Sequence, residues 1–309
     1  MSVFDEIIET ISKEVIDEKD NITQNLLAIF STYSHNPLNL RNLSPSGYGK
    51  THMVESTVQY FPPDDIIKLA RATPQSFKYH GKKMVEIMPD TFIDYQKAMD
   101  DLIEKFPNEE ERTKERKWID ENIWTVFDFE NKTLIFLDSQ SFGLWESIKP
   151  VLSHDTKVMK SLGVNKGKSG TLQGERFATL GAPSVIYCSA KNEIERDTTN
   201  EMNTRFITIS IKSNSTKNKK RHQMTAMKYG LPDKLFQQKS NLTDEEKELT
   251  KSKIKMLIDE VKYNETVNVY AMSIGEKLNN DSPNDRELKN LLTNINILTC
   301  VHSSNRLVL

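Results

Sequence analysis

The stretch Ser44–Thr51 reads Ser-Pro-Ser-Gly-Tyr-Gly-Lys-Thr. A short apolar run, Leu38-Asn39-Leu40-Arg41-Asn42-Leu43, leads into it, and a helical pattern, His52-Met53-Val54-Glu55-Ser56-Thr57-Val58, leads out. Strand, glycine-containing turn and helix in that order are the context a phosphate-binding loop requires. The general pattern is G-x-x-x-x-G-K-[ST]. Here Ser44 stands at the first position, while Gly47, Gly49, Lys50 and Thr51 keep the remainder. A Ser there requires a first turn that tolerates a Cβ or avoids positive φ. Gly47 and Gly49 let backbone amides close on phosphate oxygens, and the helix start adds free N–H groups and a positive dipole end. The predicted cradle is Ser44, Pro45, Ser46, Gly47, Tyr48, Gly49, Lys50, Thr51 and His52. Lys50 is expected on the β- and γ-phosphates and the Thr51 hydroxyl on Mg²⁺. The plain alternative is a glycine-containing turn ahead of an ordinary helix.

A second feature strengthens the first. Thr133-Leu134-Ile135-Phe136-Leu137-Asp138-Ser139 is an apolar run that ends in an acid, the pattern of a buried parallel strand delivering a carboxylate to the sheet's C-terminal edge. Asp138 is therefore the expected second holder of Mg²⁺. Further on, Ala182–Ala190 reads as a strand with a polar end at Ser189, and Asn192 follows; either side chain is placed to sense a γ-phosphate or orient water. A strand end closed by a hydrogen-bonded Ser is the other reading of Ser189. Arg205, just ahead of a strand over Phe206–Ile211, is a candidate for an arginine acting on a neighbouring subunit's nucleotide, with Arg196 a second. An arginine paired with Glu193 or Glu201 is the alternative.

The rest of the chain sets the frame. Its 309 residues suffice for about two domains. With 28% charged residues and no apolar run near the ~20 residues of a membrane span, no membrane is expected. No charged-then-apolar leader opens the chain. A net charge of −2 gives no bulk attraction for nucleic acid, so any such site must be a local patch. Cys188 and Cys300 form no metal or redox motif, and a reducing, cytoplasmic setting is expected. The six His residues show no ligand spacing.

Residues 1–35 read as helical, with Phe4, Ile7, Ile8, Ile11 and Val15 at helical spacing, either a docking segment ahead of the core or a plain packing pair of helices. Strands are expected at Asp65–Leu69, Val85–Met88 and Trp124–Phe129, and helices at Thr91–Phe106 and Leu144–Leu152. Glu109–Lys117 mixes both signs densely and reads as a solvated helix face. Residues 163–174, rich in Gly, Lys and Ser, are either a basic loop facing a phosphate backbone or a plain hairpin tip. Lys217, Lys219, Lys220, Arg221 and His222 form a basic cluster near a predicted boundary, read as a solvated linker or a phosphate-contacting patch. Thr243-Asp244-Glu245-Glu246 opens a charged helix over 243–262, and Arg286–Val301 forms a last one. The chain stops at Arg306-Leu307-Val308-Leu309 without a closing turn, which reads as a fragment or a reduced relative.

Taken together, Asn36–Thr51, Ala72-Thr73-Pro74, Thr133–Asp155 with its Pro150-Val151-Leu152-Ser153-His154-Asp155 end, and Thr204-Arg205-Phe206 resemble P-loop ATPases of the AAA+ type. They are most similar to helicase- or primase-associated ATPases of archaea and their mobile elements. The resemblance implies an α/β fold: a three-layer P-loop core with a parallel sheet over 36–212, N-terminal helices over 1–35 and a C-terminal helical domain over 213–309. It implies ATP and Mg²⁺ as ligands, DNA as a partner, a homo-oligomer, and ATP hydrolysis coupled to remodelling of or translocation on DNA. Ser139 stands where such ATPases often carry Glu, which leaves Glu146 and Glu86 as the alternatives for a general base. A nucleotide-dependent switch acting on a protein partner is the competing expectation. A small-molecule kinase is disfavoured by the scarcity of Arg between 120 and 175.

Overall fold

The computed structural model describes residues 2–70, 72–73, 81–106, 108–154, 157–166, 172–190, 204–211, 214–231, 242–264, 266, 268, 270–278 and 285–302. It opens with helices α1 (Val3–Ser12) and α2 (Lys19–Ser31), followed by β1 (Leu40–Leu43), α3 (Lys50–Val58) and β2 (Ile66–Leu69). An excursion then forms β3 (Lys82–Met88), β4 (Thr91–Asp94), α4 (Tyr95–Lys105), α5 (Glu109–Glu121) and β5 (Ile123–Asp128). The chain resumes with β6 (Thr133–Phe136), α6 (Phe142–Ile148), the hairpin β7 (Val158–Lys166) and β8 (Leu172–Leu180), then β9 (Ser184–Ser189) and β10 (Ile207–Ser210). Helices α7 (Ser215–Gly230), α8 (Asp244–Tyr263), α9 (Ala271–Leu278) and α10 (Asp285–Val301) complete it. No helix among the described residues is long and apolar enough to cross a membrane.

Five strands make a parallel sheet in the order β10-β1-β9-β6-β2. Its two faces are set by the period-2 alternation of a doubly buried strand. Leu40, Ile135, Ile186 and Cys188 pack into a cluster with α1, α2, α3, α8 and α10. Leu134, Phe136, Val185 and Tyr187 point the other way, onto α6. There the Trp145 ring meets Phe136, Tyr187 and Phe206 edge-on at 5.5, 4.8 and 5.7 Å between centroids. Helices on both faces of a parallel sheet give an α/β architecture compatible with three layers.

A second sheet, in the order β4-β3-β5-β8-β7, is built from two excursions off the first. One leaves after β2 and the other after α6, and the parallel pairing of β5 with β8 joins them. Both return to the main sheet at its N-terminal edge through short turns, Phe129–Lys132 and Gly181–Pro183. Gly181 has φ +72°, and a Cβ there would lie 2.7 Å from the Glu130 amide nitrogen. The two turns thus approach each other more closely than a side chain would allow.

Several elements depart from expectation. Residues 1–35 follow the packing reading and not the docking one: Phe4, Ile7 and Ile11 of α1 and Leu26, Ile29 and Phe30 of α2 share one cluster with Ile254, Leu257, Ile297 and Val301 of the last helices. The expected boundaries at 35 and 213 therefore do not separate independent cores. Asn25 of α2 and Asn42 of β1 exchange side-chain hydrogen bonds at 3.1 and 3.0 Å inside that core. In the expected helix 91–106, the first four residues instead form β4. Asp94 then caps the helix by accepting from the Gln96 and Lys97 amides. The helix expected over Leu144–Leu152 stops at Ile148, ahead of Pro150, and a single tight turn follows. The Gly-, Lys- and Ser-rich segment takes the hairpin reading of its two: Gly163 pairs with Glu175 and Lys166 with Leu172, and residues 167–171 lie outside the described ones. The basic cluster at 217–222 lies inside α7, which starts where Asn214 accepts from the Lys217 amide, and is no linker.

Candidate functional site

Strands β1, β9 and β6 are adjacent and parallel, so their C-terminal ends open on one edge. In open α/β sheets that edge is where ligands bind, at the point where strand order reverses. Here the reversal falls at β1, whose neighbours β9 and β10 both come late in the chain.

The loop Ser44–Gly49 leaves β1 at this edge. Ser44 is buried, its amide donates to the Ser189 carbonyl at 3.3 Å, and its φ is not positive, so its Cβ meets no steric conflict. Gly47 (φ +81°) and Gly49 (φ +86°) take the left-handed turns of the loop. Gly49 is the N-cap of α3, and Met53, Val54 and Val58 anchor that helix in the core, which holds the loop's last turn in place. Lys50 Nζ folds back over the loop and donates to the Ser44 and Pro45 carbonyls at 2.6 and 3.0 Å.

A cleft of about 440 Å³ runs along this edge and is lined by Ser46, Gly47, Lys50, Thr51, Asp138 and Cys188, with His52, Leu137 and Ala190 at its sides. Asp138 is exposed, and one carboxylate oxygen accepts the Ser139 amide at 2.8 Å. Gln140 braces the turn: its side-chain amide donates to Asp138 O and Ala70 O, and its oxygen accepts from the Ala72 amide at 2.8 Å. This buried glutamine ties the end of β6 to the end of β2. The Thr51 hydroxyl and the Asp138 carboxylate are hard oxygen donors in one cleft. The described residues hold no group of three or more His, Cys, Asp or Glu that could bind a metal by itself. A cation that takes few protein ligands and keeps water and phosphate oxygens fits this donor set, as Mg²⁺ does. Burial pushes the Cys188 thiol up to about 12, so it stays protonated and is no nucleophile at neutral pH.

Other expected residues are distributed as follows. Ser189 ends β9 beside Leu43 of β1, is buried, and its hydroxyl makes a long contact, 3.4 Å, to the Ala190 carbonyl. His52 turns toward the α1–α2 connection, where its Nε2 lies 3.2 Å from the Glu14 carbonyl. Asn192 and Arg196 lie outside the described residues. Arg205 is not brought to this edge. It precedes β10 at the opposite end of the sheet, is buried, and donates to the Lys149 carbonyl at 3.0 Å and to the Ser153 hydroxyl of its own chain. That placement corrects the expectation of an arginine presented to a neighbour. Of the two candidate bases, Glu86 sits in the second sheet paired with Lys160, and Glu146 pairs with Lys149 at 3.5 Å; neither lines the cleft.

The sequence also left one contact unseen. Arg221 of α7 reaches the phosphate-loop candidate and donates to the Gly47 carbonyl at 2.9 Å. A larger cavity of about 580 Å³ opens on that flank, between the loop residues Tyr48 and Gly49, the α1–α2 turn and α7. The basic run at 217–222 was the available signal, but its helix and its target are set by tertiary packing.

No family model matches this chain, and no curated protein matches it either.

Proposed function

We propose that this chain binds ATP with Mg²⁺ at Ser44–Thr51 and hydrolyses it in a P-loop core of the AAA+ kind. One observation carries the reading: Lys50 and Thr51 of the loop and Asp138, far from them in sequence, line one cleft at the C-terminal edge of a parallel sheet. The roles follow from the chemistry. Loop amides and Lys50 neutralise phosphate charge, while Thr51 and Asp138 hold the cation that bridges phosphate oxygens. Bound Mg²⁺ would supply charge neutralisation at the transferring phosphoryl group. Ser189 at the end of β9 is the proposed contact to a γ-phosphate; in support, β9 lies between β1 and β6, although Ser189 itself is buried and its neighbours Cys188 and Ala190 line the cleft. The 580 Å³ cavity beyond Tyr48 and Gly49 has the size and mixed lining of a small-molecule site and is the proposed place of the nucleoside.

Coupling to DNA rests on the AAA+ resemblance and on the basic composition of the sequence at 163–174. A homo-oligomer is part of the same proposal, although Arg205, held within its own chain, lends it no support. A second reading, an ATP-dependent switch with little turnover, is favoured by one observation: neither Glu86 nor Glu146 lines the cleft, and Ser139 follows Asp138.

Hydrolysis of ATP with Mg²⁺, measured with and without single- and double-stranded DNA, separates these readings. Turnover that rises with DNA is expected, falling by at least about a hundredfold in Lys50→Ala and in Asp138→Ala. Tight ATP binding without turnover in any condition would establish the switch instead. No ATP binding at all would leave the loop an ordinary turn.

A further inference from the structure

We propose that Gln140 is a positioning residue for the cation site: it holds the main chain of Asp138 and so fixes where that carboxylate meets Mg²⁺. The inference rests on the reading of Ser44–Thr51 and Asp138 as a Mg²⁺–nucleotide site. It adds a residue that does not itself line the cleft.

Backbone pairing between β6 and β2 reaches the Leu137 amide, which donates to the Leu69 carbonyl at 3.2 Å. Just beyond, the side chains divide. Asp138 is exposed, and Gln140 is 3% exposed. A carboxamide offers two N–H donors and an oxygen acceptor, the same groups as a peptide. Gln140 directs all of them at backbone. Its Nε2 donates to the Asp138 carbonyl at 2.6 Å and to the Ala70 carbonyl at 3.0 Å, and its Oε1 accepts from the Ala72 amide at 2.8 Å. One side chain thus continues the tie between the two strands where their backbones no longer can. The far end of the tie is firm, because Ala72 is buried in the cluster of Phe136, Trp145 and Tyr187.

Asp138 is held at two points as a result. Gln140 takes its carbonyl, and the Ser139 amide takes carboxylate Oδ1 at 2.8 Å. Oδ2 accepts no hydrogen bond among the described residues, which leaves it for a cation. A carboxylate already restrained in this way loses less conformational freedom when it binds metal. Groups that orient a metal ligand from behind typically contribute about 10–100-fold in metal affinity. The bonds of Gln140 run to the ends of β6 and β2 and not to the loop Ser44–Thr51. Its removal is therefore expected to act on the cation and to spare the loop's contacts with the nucleotide.

Equilibrium binding of ATP to the full chain, measured in EDTA and across a titration of free Mg²⁺, tests this. Gln140→Met keeps the volume and removes all three bonds. Gln140→Glu keeps the acceptor for the Ala72 amide and removes the donors to Asp138 and Ala70. In both, the Mg²⁺ concentration at half-effect is expected to rise by at least about tenfold, with ATP affinity in EDTA within about twofold of wild type. Asp138→Ala should shift the Mg²⁺ midpoint at least as far. An unchanged midpoint in the Gln140 variants would overturn the proposal. So would an equal loss of ATP affinity with and without Mg²⁺, or failure of both variants to fold, since either makes Gln140 a strut of the fold. If the wild-type chain binds no ATP, or if Asp138→Ala leaves the Mg²⁺ dependence as it was, the reading of the site itself fails and this proposal fails with it.

Discussion

At the scale of single residues, the three glycines in left-handed backbone among the described residues do different work. Gly47 and Gly49 shape a loop around the space where a ligand would lie, and Gly181 lets two backbone turns touch. The last makes a prediction about stability alone. In Gly181→Ala, the Cβ would meet the Glu130 backbone at 2.7 and 2.8 Å, and the positive φ adds a conformational cost of about 1–2 kcal/mol. A loss of more than about 2 kcal/mol by denaturant unfolding is expected. Gly174→Ala is the control, because a Cβ there meets nothing within 4 Å, and it should stay within about 0.5 kcal/mol of wild type. An unchanged unfolding midpoint in Gly181→Ala would show that the turns at Glu130 and Gly181 shift freely. The glycines of the phosphate-loop candidate were legible because their spacing is a chemical requirement. Gly181 was not, since its need arises from Glu130, some fifty residues away.

At the scale of elements, helix ends followed local rules and β-structure did not. Thr243 and Glu246 form the reciprocal capping box that opens α8, as the Thr-Asp-Glu-Glu run implied. Ser2 and Asp5 do the same for α1. Hydrogen bonds from the Ser2 hydroxyl and backbone amide hold the Asp5 carboxyl below the usual range. Because its folded value is lowered, its contribution to stability is present above the ordinary aspartate range and is lost as pH falls through the lowered value. Thermal melts from about pH 6 down to about pH 3 should therefore fall, and less steeply in Ser2→Ala, where the hydroxyl's two bonds are gone at every pH and the backbone amide bond to Asp5 remains. Parallel slopes for the two proteins would remove Asp5 from the acid response. In contrast, β4 took residues that looked helical, and the strands of the β7–β8 hairpin extend well beyond the tip that the sequence suggested. Strand pairing drew both in: Thr91–Asp94 pairs with β3, and Val158–Lys166 runs the full length of β8. Local sequence does not announce such pairing, because the partner strand supplies half of the hydrogen bonds.

At the scale of the whole molecule, the chain's two ends close over one face of the main sheet, and α7 links that assembly to the loop. The buried pair of Lys217 with Glu18 is the joint. Lys217→Met alone leaves a buried carboxylate and is expected to cost about 3–5 kcal/mol, while the double variant with Glu18→Leu should recover most of it. Non-recovery in a double-mutant cycle would mean that the pair is not the unit that matters. What the sequence determined by itself was the local chemistry: a glycine-spaced turn between strand and helix, an apolar run ending in Asp138, capped helices, and the alternation that buries a strand on both faces. These are readable because they depend on neighbours a few positions apart. What only the tertiary structure decided was which of those pieces meet. It put Asp138 beside Thr51, took Arg205 into the body at the far edge, merged residues 1–35 with the last helices in one core, and set Arg221 against Gly47. Each of these contacts joins residues far apart in the chain, so its energy depends on the packing of the whole molecule and leaves no local pattern in the sequence.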